Sequence, residues 1–160
     1  MNTIKFFVPG KPATAGSKRG FVNKKTGKIL MVDDCKRNPD WKNTCRAFAY
    51  QAYQRAPTRA AVTLSVDFWL PRPKSHYGTG KNATQLKSTA PRYHTTIPDA
   101  TKLLRCLEDA LTGILWRDDA QIVSQTVTKR YADDGERIGA QIMCRTFKQE
   151  KDNEATNYHG

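Results

Sequence analysis

Carboxylates are concentrated in one short stretch of an otherwise basic chain. Residues 98–122 contain Asp99, Glu108, Asp109, Asp118 and Asp119. A hard divalent cation such as Mg²⁺ is bound by one or two carboxylates together with water and phosphate oxygens, and its charge stabilises a phosphodiester under attack. The stretch is therefore a candidate site for metal-assisted phosphodiester chemistry.

A helix and a following strand are predicted to position these carboxylates. Asp99 follows a proline and is placed to cap a helix that Gly113 ends. The helix is amphipathic, with one apolar stripe formed by Leu103, Leu104, Leu107, Leu111 and Ile114. A polar turn at 116–119 precedes a strand predicted over 121–131. We expect the start of the helix and this turn to bring Asp99 close to Asp118 and Asp119; without that convergence, only a cationic nucleic-acid binder would be left.

The charge balance indicates the kind of partner. The chain has 27 Lys and Arg against 15 Asp and Glu, a formal net charge of +12. Such a balance favours a polyanion, and nucleic acid before membrane because no apolar span or basic amphipathic helix is evident. A merely soluble basic surface is the alternative. Basic residues flank the carboxylates and could offset their repulsion of phosphate: Lys102, Arg105, Arg117, Lys129 and Arg130.

An ordered, multi-part motif runs through the acidic stretch. Residues 98–105 read Pro-Asp-Ala-Thr-Lys-Leu-Leu-Arg, residues 109–113 read Asp-Ala-Leu-Thr-Gly, and residues 116–122 read Trp-Arg-Asp-Asp-Ala-Gln-Ile. This pattern resembles the signature of the RusA-type Holliday junction resolvases, a family common in phages and prophages. The Val-Pro-Gly-Lys-Pro run at 8–12 agrees with the opening found in RusA-like proteins.

The resemblance implies a Mg²⁺- or Mn²⁺-dependent endodeoxyribonuclease that resolves four-way DNA junctions by paired nicks as a homodimer. It implies Asp99, Asp119 and Arg105 as catalytic residues, with Arg105 in the place of the family's lysine. Asp99 and Asp119, aided by Asp118 and Asp109, are the expected metal ligands. The cations expected to contact DNA are Lys102, Arg117, Lys11, Lys18, Arg19, Lys74 and Lys81. The same residues have simpler interpretations, because Asp99 could only cap a helix and Asp119 could only belong to a turn.

One position departs sharply from the family pattern. Thr101 stands where the second motif aspartate is expected, and Lys102 replaces the neighbouring asparagine. The loss of a carboxylate could weaken the metal site unless Asp109, Asp118 or a water on Thr101 compensates. A DNA-junction-binding protein without nuclease activity is therefore the alternative hypothesis, and an RNA-binding basic protein is a third.

The rest of the chain predicts a single α+β domain over 1–147 with a polar tail at 148–160. Its predicted order is strand, hairpin, helix, strand, long loop, helix and a final pair of strands joined as a hairpin, giving a mixed sheet covered by two helices. The basic loop at 72–97 is expected to be a flexible arm that becomes ordered on DNA. His76 and His94 in this loop have no spacing to partners that would assign them a role.

Cysteine usage and the N-terminus predict a cytoplasmic protein. The four cysteines form no Cys-x-x-Cys pair, and packed, reduced thiols are the expected state. The first residues contain no long apolar region or cleavage signal, so no export is expected.

Overall fold

The computed structural model describes residues 2–16, 18–22, 25–33 and 38–147. The strands are β1 (Asn2–Pro9), β2 (Lys18–Val22), β3 (Ile29–Asp33), β4 (Val62–Leu70), β5 (Ile122–Tyr131) and β6 (Gly139–Thr146), and the helices are α1 (Asn38–Ala52) and α2 (Ala100–Leu111). The predicted tail at 148–160 lies outside the described residues. The order of elements along the chain agrees with the prediction.

Four strands form one mixed sheet in the order β1-β6-β4-β5. β6 pairs antiparallel with both β1 and β4, whereas β4 and β5 are parallel. Parallel neighbours need a crossover connection, and the segment that contains α2 supplies it. β2 and β3 pair with each other as a separate antiparallel hairpin. The predicted α+β architecture, a mixed sheet with two helices, is confirmed.

The core lies on one face of the sheet. Alternate residues of β4 are buried, from Val62 to Leu70, and the intervening residues are not. Such period-two alternation is what a strand with one covered face requires. The apolar stripe of α2 belongs to the same core, with Leu103 and Leu107 fully buried. Gly113 follows the helix with a φ of +82°, the left-handed conformation that commonly ends a helix.

The prediction that β5 and β6 form a hairpin is wrong. β4 lies between them, hydrogen-bonded to β6 on one side and to β5 on the other. Two strands separated by a third are about 10 Å apart, and residues 132–138 are long enough to cross that distance. The turn passes the end of β4, where the Ala132 backbone N–H donates to the Leu70 carbonyl at 2.9 Å.

Residues 72–97, which the sequence predicts to be a flexible basic arm that becomes ordered on DNA, connect β4 to α2. The segment contains two short 3₁₀ helices, Lys74–His76 and Gly80–Asn82. Arg72, whose side chain is 4% exposed, donates to the carbonyls of Ala132 and Pro91 at 2.8 Å each. The first bond attaches the start of the segment to the chain just after β5, and the second joins the start of the segment to its later part.

Three cysteines, Cys45, Cys106 and Cys144, are buried and form no disulfide among the described residues. This agrees with the expectation of packed, reduced thiols, and burial raises the pKa of Cys144 to about 11. The fourth, Cys35, lies outside the described residues. Among the helices that the structure describes, none is long and apolar enough to span a bilayer.

Leu107→Ala is expected to lower the free energy of unfolding by about 2–5 kcal/mol, because it leaves a cavity in the core at a fully buried position. Denaturant unfolding followed by circular dichroism measures this. Thr101→Ala, at an exposed position of the same helix, is the matched control and is expected to change stability by less than about 0.5 kcal/mol. Equal effects of the two substitutions would contradict the assignment of the buried face.

Candidate active site

Asp99 lies at the start of α2, in an extended conformation at the N-cap position. Its carboxylate makes no capping hydrogen bond to the described residues of the helix and instead lies 3.6 Å from the Lys102 ammonium. Both side chains are more than half exposed. Asp99 thus presents its carboxylate to solvent beside a cation. We call Asp99, Lys102 and the adjacent Thr14, which line one pocket, the N-terminal half-site.

Two contacts fix the chain around the N-terminal half-site. The Lys129 ammonium on β5 donates to the carbonyls of Thr96 and Pro98 at 2.6 and 2.7 Å, which holds the segment that leads into α2. The Ala15 backbone N–H donates to the Lys102 carbonyl at 3.0 Å, which places the loop after β1 beside the helix. This loop carries Lys11, exposed at the edge of a neighbouring pocket that Pro98 also lines.

Asp119 lies just beyond the other end of α2. Its Oδ1 accepts hydrogen bonds from the Trp116 indole Nε1–H at 3.0 Å and from the Thr112 hydroxyl. Thr112 is the C-cap residue of α2. Gln125 on β5 donates to the Glu108 carboxylate one turn earlier in the helix. We call Glu108, Thr112, Trp116, Asp119 and Gln125 the C-terminal half-site.

The turn that carries Asp119 is built by its neighbours. Asp118 Oδ1 accepts from the Ala120 backbone N–H at 2.8 Å and caps a short 3₁₀ helix, Asp119–Gln121. Gln121 accepts from the Asp118 backbone N–H and donates to the carbonyls of Thr58 and Ala60. Asp118 therefore has a structural role, because it caps the 3₁₀ helix of this turn.

Glu108 was noted in the sequence among the carboxylates, but no role was predicted for it. Its burial, reinforced by the negative charges of Asp119 and Asp109, raises the pKa of Glu108 to about 7. The only sequence signal was its position four residues before Thr112, on the same face of the helix. Asp109 itself pairs with Lys42 of α1 at 3.2 Å and joins the two helices.

The predicted convergence of Asp99 and Asp119 within one chain is wrong. Asp99 occupies the N-cap position at the start of α2, and Asp119 hydrogen-bonds to Thr112, the C-cap residue at its end. Thirteen helical steps of about 1.5 Å separate the two caps by about 20 Å. The described residues contain no group of three or more His, Cys, Asp or Glu side chains that could hold a metal ion. Asp99 and Asp119 of one chain are therefore too far apart to bind the same metal ion.

The family model described as Endodeoxyribonuclease RusA matches residues 9–143 of this chain. This match covers both half-sites and every strand of the four-stranded sheet in whole or in part. The chain belongs to the RusA endodeoxyribonuclease family. A curated protein, the uncharacterized protein YqaN of Bacillus subtilis (strain 168), is 30% identical over 134 residues, which are 84% of this chain and 92% of that protein.

The remaining residues that the RusA resemblance singled out lie on several different elements. Arg105 is exposed midway along α2, Arg117 is exposed in the turn before Asp119, and Lys74 and Lys81 are exposed in the two short 3₁₀ helices. Lys18 and Arg19 lie on β2, where the structure describes the backbone and not the side chains. His94, with a ring 4.7 Å from that of Tyr131, has a pKa lowered by burial and by the Lys129 charge.

The raised pKa of Glu108 makes stability depend on pH. Because the folded state holds this proton more tightly than the unfolded chain, stability is lost as pH rises from the ordinary glutamate value through about 7. Glu108→Gln removes that loss. In urea titrations, the free energy of unfolding of Glu108→Gln minus that of the original chain is expected to increase between about pH 5 and pH 8.

Glu136→Gln is the matched control. The Arg130 hydrogen bonds lower the pKa of Glu136, so this carboxylate stabilises the fold above its unfolded pKa and the benefit is lost in acid. Removing it is expected to destabilise the protein near neutral pH, the opposite sign. A Glu108→Gln difference that is constant across the pH range would show that Glu108 has an ordinary pKa.

Proposed function

We propose that this protein is a divalent-metal-dependent endodeoxyribonuclease that cuts branched DNA, four-way junctions above all, by paired nicks and acts as a homodimer. The supporting observation is a pair of carboxylates, Asp99 and Asp119, fixed at the two ends of one helix in a member of an endodeoxyribonuclease family. Mg²⁺ or Mn²⁺ is the proposed cofactor, and Asp99, Asp119 and Arg105 are the proposed catalytic residues.

Because one chain keeps Asp99 and Asp119 apart, the nuclease hypothesis now requires a site shared by two chains. A two-fold axis across the middle of α2 would pair this helix with its copy in antiparallel orientation. Each Asp99 would then approach Asp119 of the partner subunit, and both sites of the dimer would be equivalent. The two nicks of a four-way junction, which itself has approximate two-fold symmetry, would come from these two sites.

The charges on α2 support the same arrangement. The polar face is basic in its first half, with the exposed Lys102 and Arg105, and acidic in its second half, with the half-buried Glu108 and the exposed Asp109. Antiparallel pairing would place the basic half of one helix opposite the acidic half of the other, which is electrostatically complementary. Parallel pairing would instead oppose like charges.

Asp118 and Asp109 stay secondary candidates for metal ligation. Asp118 already accepts a hydrogen bond from the Ala120 backbone N–H, and Asp109 is already paired with Lys42. Ligation by either would compete with these contacts. Asp99 and Asp119 are the stronger candidates, since the Asp99 carboxylate is 55% exposed and hydrogen bonds to Asp119 from described residues fall on one oxygen.

Exposed cations are proposed to bind the DNA backbone. Lys102 and Lys11 lie close to Asp99, and Arg117 precedes the turn that carries Asp119. Lys74 and Lys81, together with Lys18 and Arg19 of β2, are proposed to contact phosphates farther away. Ammonium and guanidinium groups release counterions when they bind phosphate, so binding should weaken with salt.

A DNA-junction-binding protein that does not cut is the second candidate. It is favoured by Thr101 at the position of a family aspartate and by the lack of a three-ligand cluster among the described residues. A labelled synthetic four-way junction, incubated with and without Mg²⁺ or Mn²⁺, distinguishes the two. Tight binding without metal-dependent nicks would support the binder.

Asp119→Asn is expected to reduce metal-dependent cutting of the labelled junction by at least about 100-fold. Junction binding without metal should be unchanged or tighter, because a negative charge near phosphate is removed. Asp134→Asn makes the same chemical change in the exposed turn between β5 and β6 and should cut normally. Normal cutting by Asp119→Asn would refute its role.

Mixing Asp99→Asn with Asp119→Asn chains tests the shared site. If each site takes Asp99 from one chain and Asp119 from the other, a mixed dimer contains one intact site and one site with both substitutions. Activity should therefore return to about a quarter of the original after random exchange of subunits, since about half of the dimers are mixed. These mixed dimers should make single nicks, and no recovery would contradict a shared site.

A further inference from the structure

We infer that Trp116, acting with Thr112, is a positioning residue that holds the Asp119 carboxylate in one orientation for DNA cleavage. This inference rests on the proposed function, in which Asp119 takes part in the reaction. The indole Nε1–H of Trp116 donates to Asp119 Oδ1 and to Thr112 Oγ1, each at 3.0 Å. Thr112 Oγ1 also lies within hydrogen-bond distance of Asp119 Oδ1.

The anchor of this arrangement is rigid because it belongs to the core. Trp116 is fully buried and is among the largest buried side chains of the described residues. Its ring cannot move without disturbing the packing around it. Asp119, in contrast, is exposed. An exposed carboxylate is thus hydrogen-bonded to a buried donor.

Thr112 is held from a second direction. Its hydroxyl lies 2.9 Å from the Glu108 carbonyl in the last turn of α2. A hydroxyl has one proton to donate and two lone pairs to accept with. Thr112 therefore accepts from Trp116 and shares its proton between the Glu108 carbonyl and Asp119. The end of α2, the indole and the carboxylate form one connected network.

Both hydrogen bonds to the carboxylate fall on Oδ1. With Oδ1 occupied, the described residues leave Oδ2 for a reaction partner, and rotation of the carboxylate would break two hydrogen bonds. Positioning of this kind matters because a misplacement of about 1 Å at a reacting group can cost about 100-fold in rate. Loss of the indole donor should therefore slow cleavage although the carboxylate itself is kept.

Trp41 supplies an internal control. It is 3% exposed, and its Nε1–H has no hydrogen-bond partner in the described part of the chain. Trp41 is thus a second buried indole, and among the described residues it donates to no carboxylate. Trp41→Phe and Trp116→Phe make the same chemical change at two buried positions, and only the second removes a donor from Asp119.

The first experiment measures junction cutting at saturating metal. Trp116→Phe should lower the cutting rate at least about 10-fold, and Trp41→Phe should leave it within about two-fold. Added to Asp119→Asn, Trp116→Phe should cause no further loss, because it acts through Asp119. If Trp116→Phe lowered the cutting rate of Asp119→Asn by the same factor as it lowers that of the original chain, Trp116 would have only a structural role. Thermal unfolding of both variants checks the fold, and Thr112→Val tests the same network if Trp116→Phe does not fold.

The second experiment needs no activity. The chain has three tryptophans, so an ¹⁵N-labelled sample gives three indole N–H signals, each assigned by its loss in a Trp→Phe variant. Asp119→Asn weakens the hydrogen bond by removing the charge of its acceptor. The Trp116 signal should shift, whereas the Trp41 signal should stay in place.

The two experiments separate failure of the inference from failure of the proposed function. If the original chain does not cut the junction, the proposed function fails, and the indole signals alone then judge whether Trp116 holds Asp119. An unchanged Trp116 signal in Asp119→Asn would overturn the inference. It would also be overturned if the original chain cuts and Trp116→Phe cuts as fast as Trp41→Phe.

Discussion

The length of α2 is the constraint on which the arrangement of the carboxylates depends. One face of this helix is buried in the core through Leu103, Leu107 and Leu111, and the rise of about 1.5 Å per residue fixes the distance between its ends. Its two caps therefore stay about 20 Å apart. Chemistry that needs Asp99 and Asp119 in one place must obtain the second carboxylate from outside the chain, which is why the proposed nuclease is a dimer.

The carboxylates are kept in place by different means at the two ends. Around Asp99, the Lys129 ammonium donates to two backbone carbonyls, and the loop after β1 is attached to Lys102 through a backbone hydrogen bond. Around Asp119, the side chains of Trp116 and Thr112 bind the carboxylate directly. At the Asp99 end, the backbone is held in place, and the exposed Asp99 carboxylate lies beside the Lys102 ammonium. At the Asp119 end, the carboxylate is held by a buried tryptophan, and burial, reinforced by the charges of Asp119 and Asp109, raises the pKa of the neighbouring Glu108.

The strand order of the sheet explains how β5 supplies side chains to both ends of α2. Because β4 occupies the position between β5 and β6, β5 becomes an edge strand that lies next to α2. It supplies Lys129 to one half-site and Gln125 to the other. A β5-β6 hairpin, as the sequence predicted, would have required a different neighbour for β5. The crossover through α2 is therefore what places the helix, the edge strand and the acidic turn together.

Local patterns in the sequence determined the elements and the family. Four features could be predicted from the sequence because they depend on neighbours within a few residues. They are the alternation in Val62–Leu70, the leucine stripe of α2, the boundaries of this helix at Asp99 and Gly113, and the spacing of the acidic motif. Strand order, the contacts of residues 72–97, the distance between Asp99 and Asp119, and the hydrogen bonds of Trp116 depend on residues far apart in the chain. Only the tertiary structure decided these features, because helix length and sheet pairing fix distances that residue types and spacing do not specify.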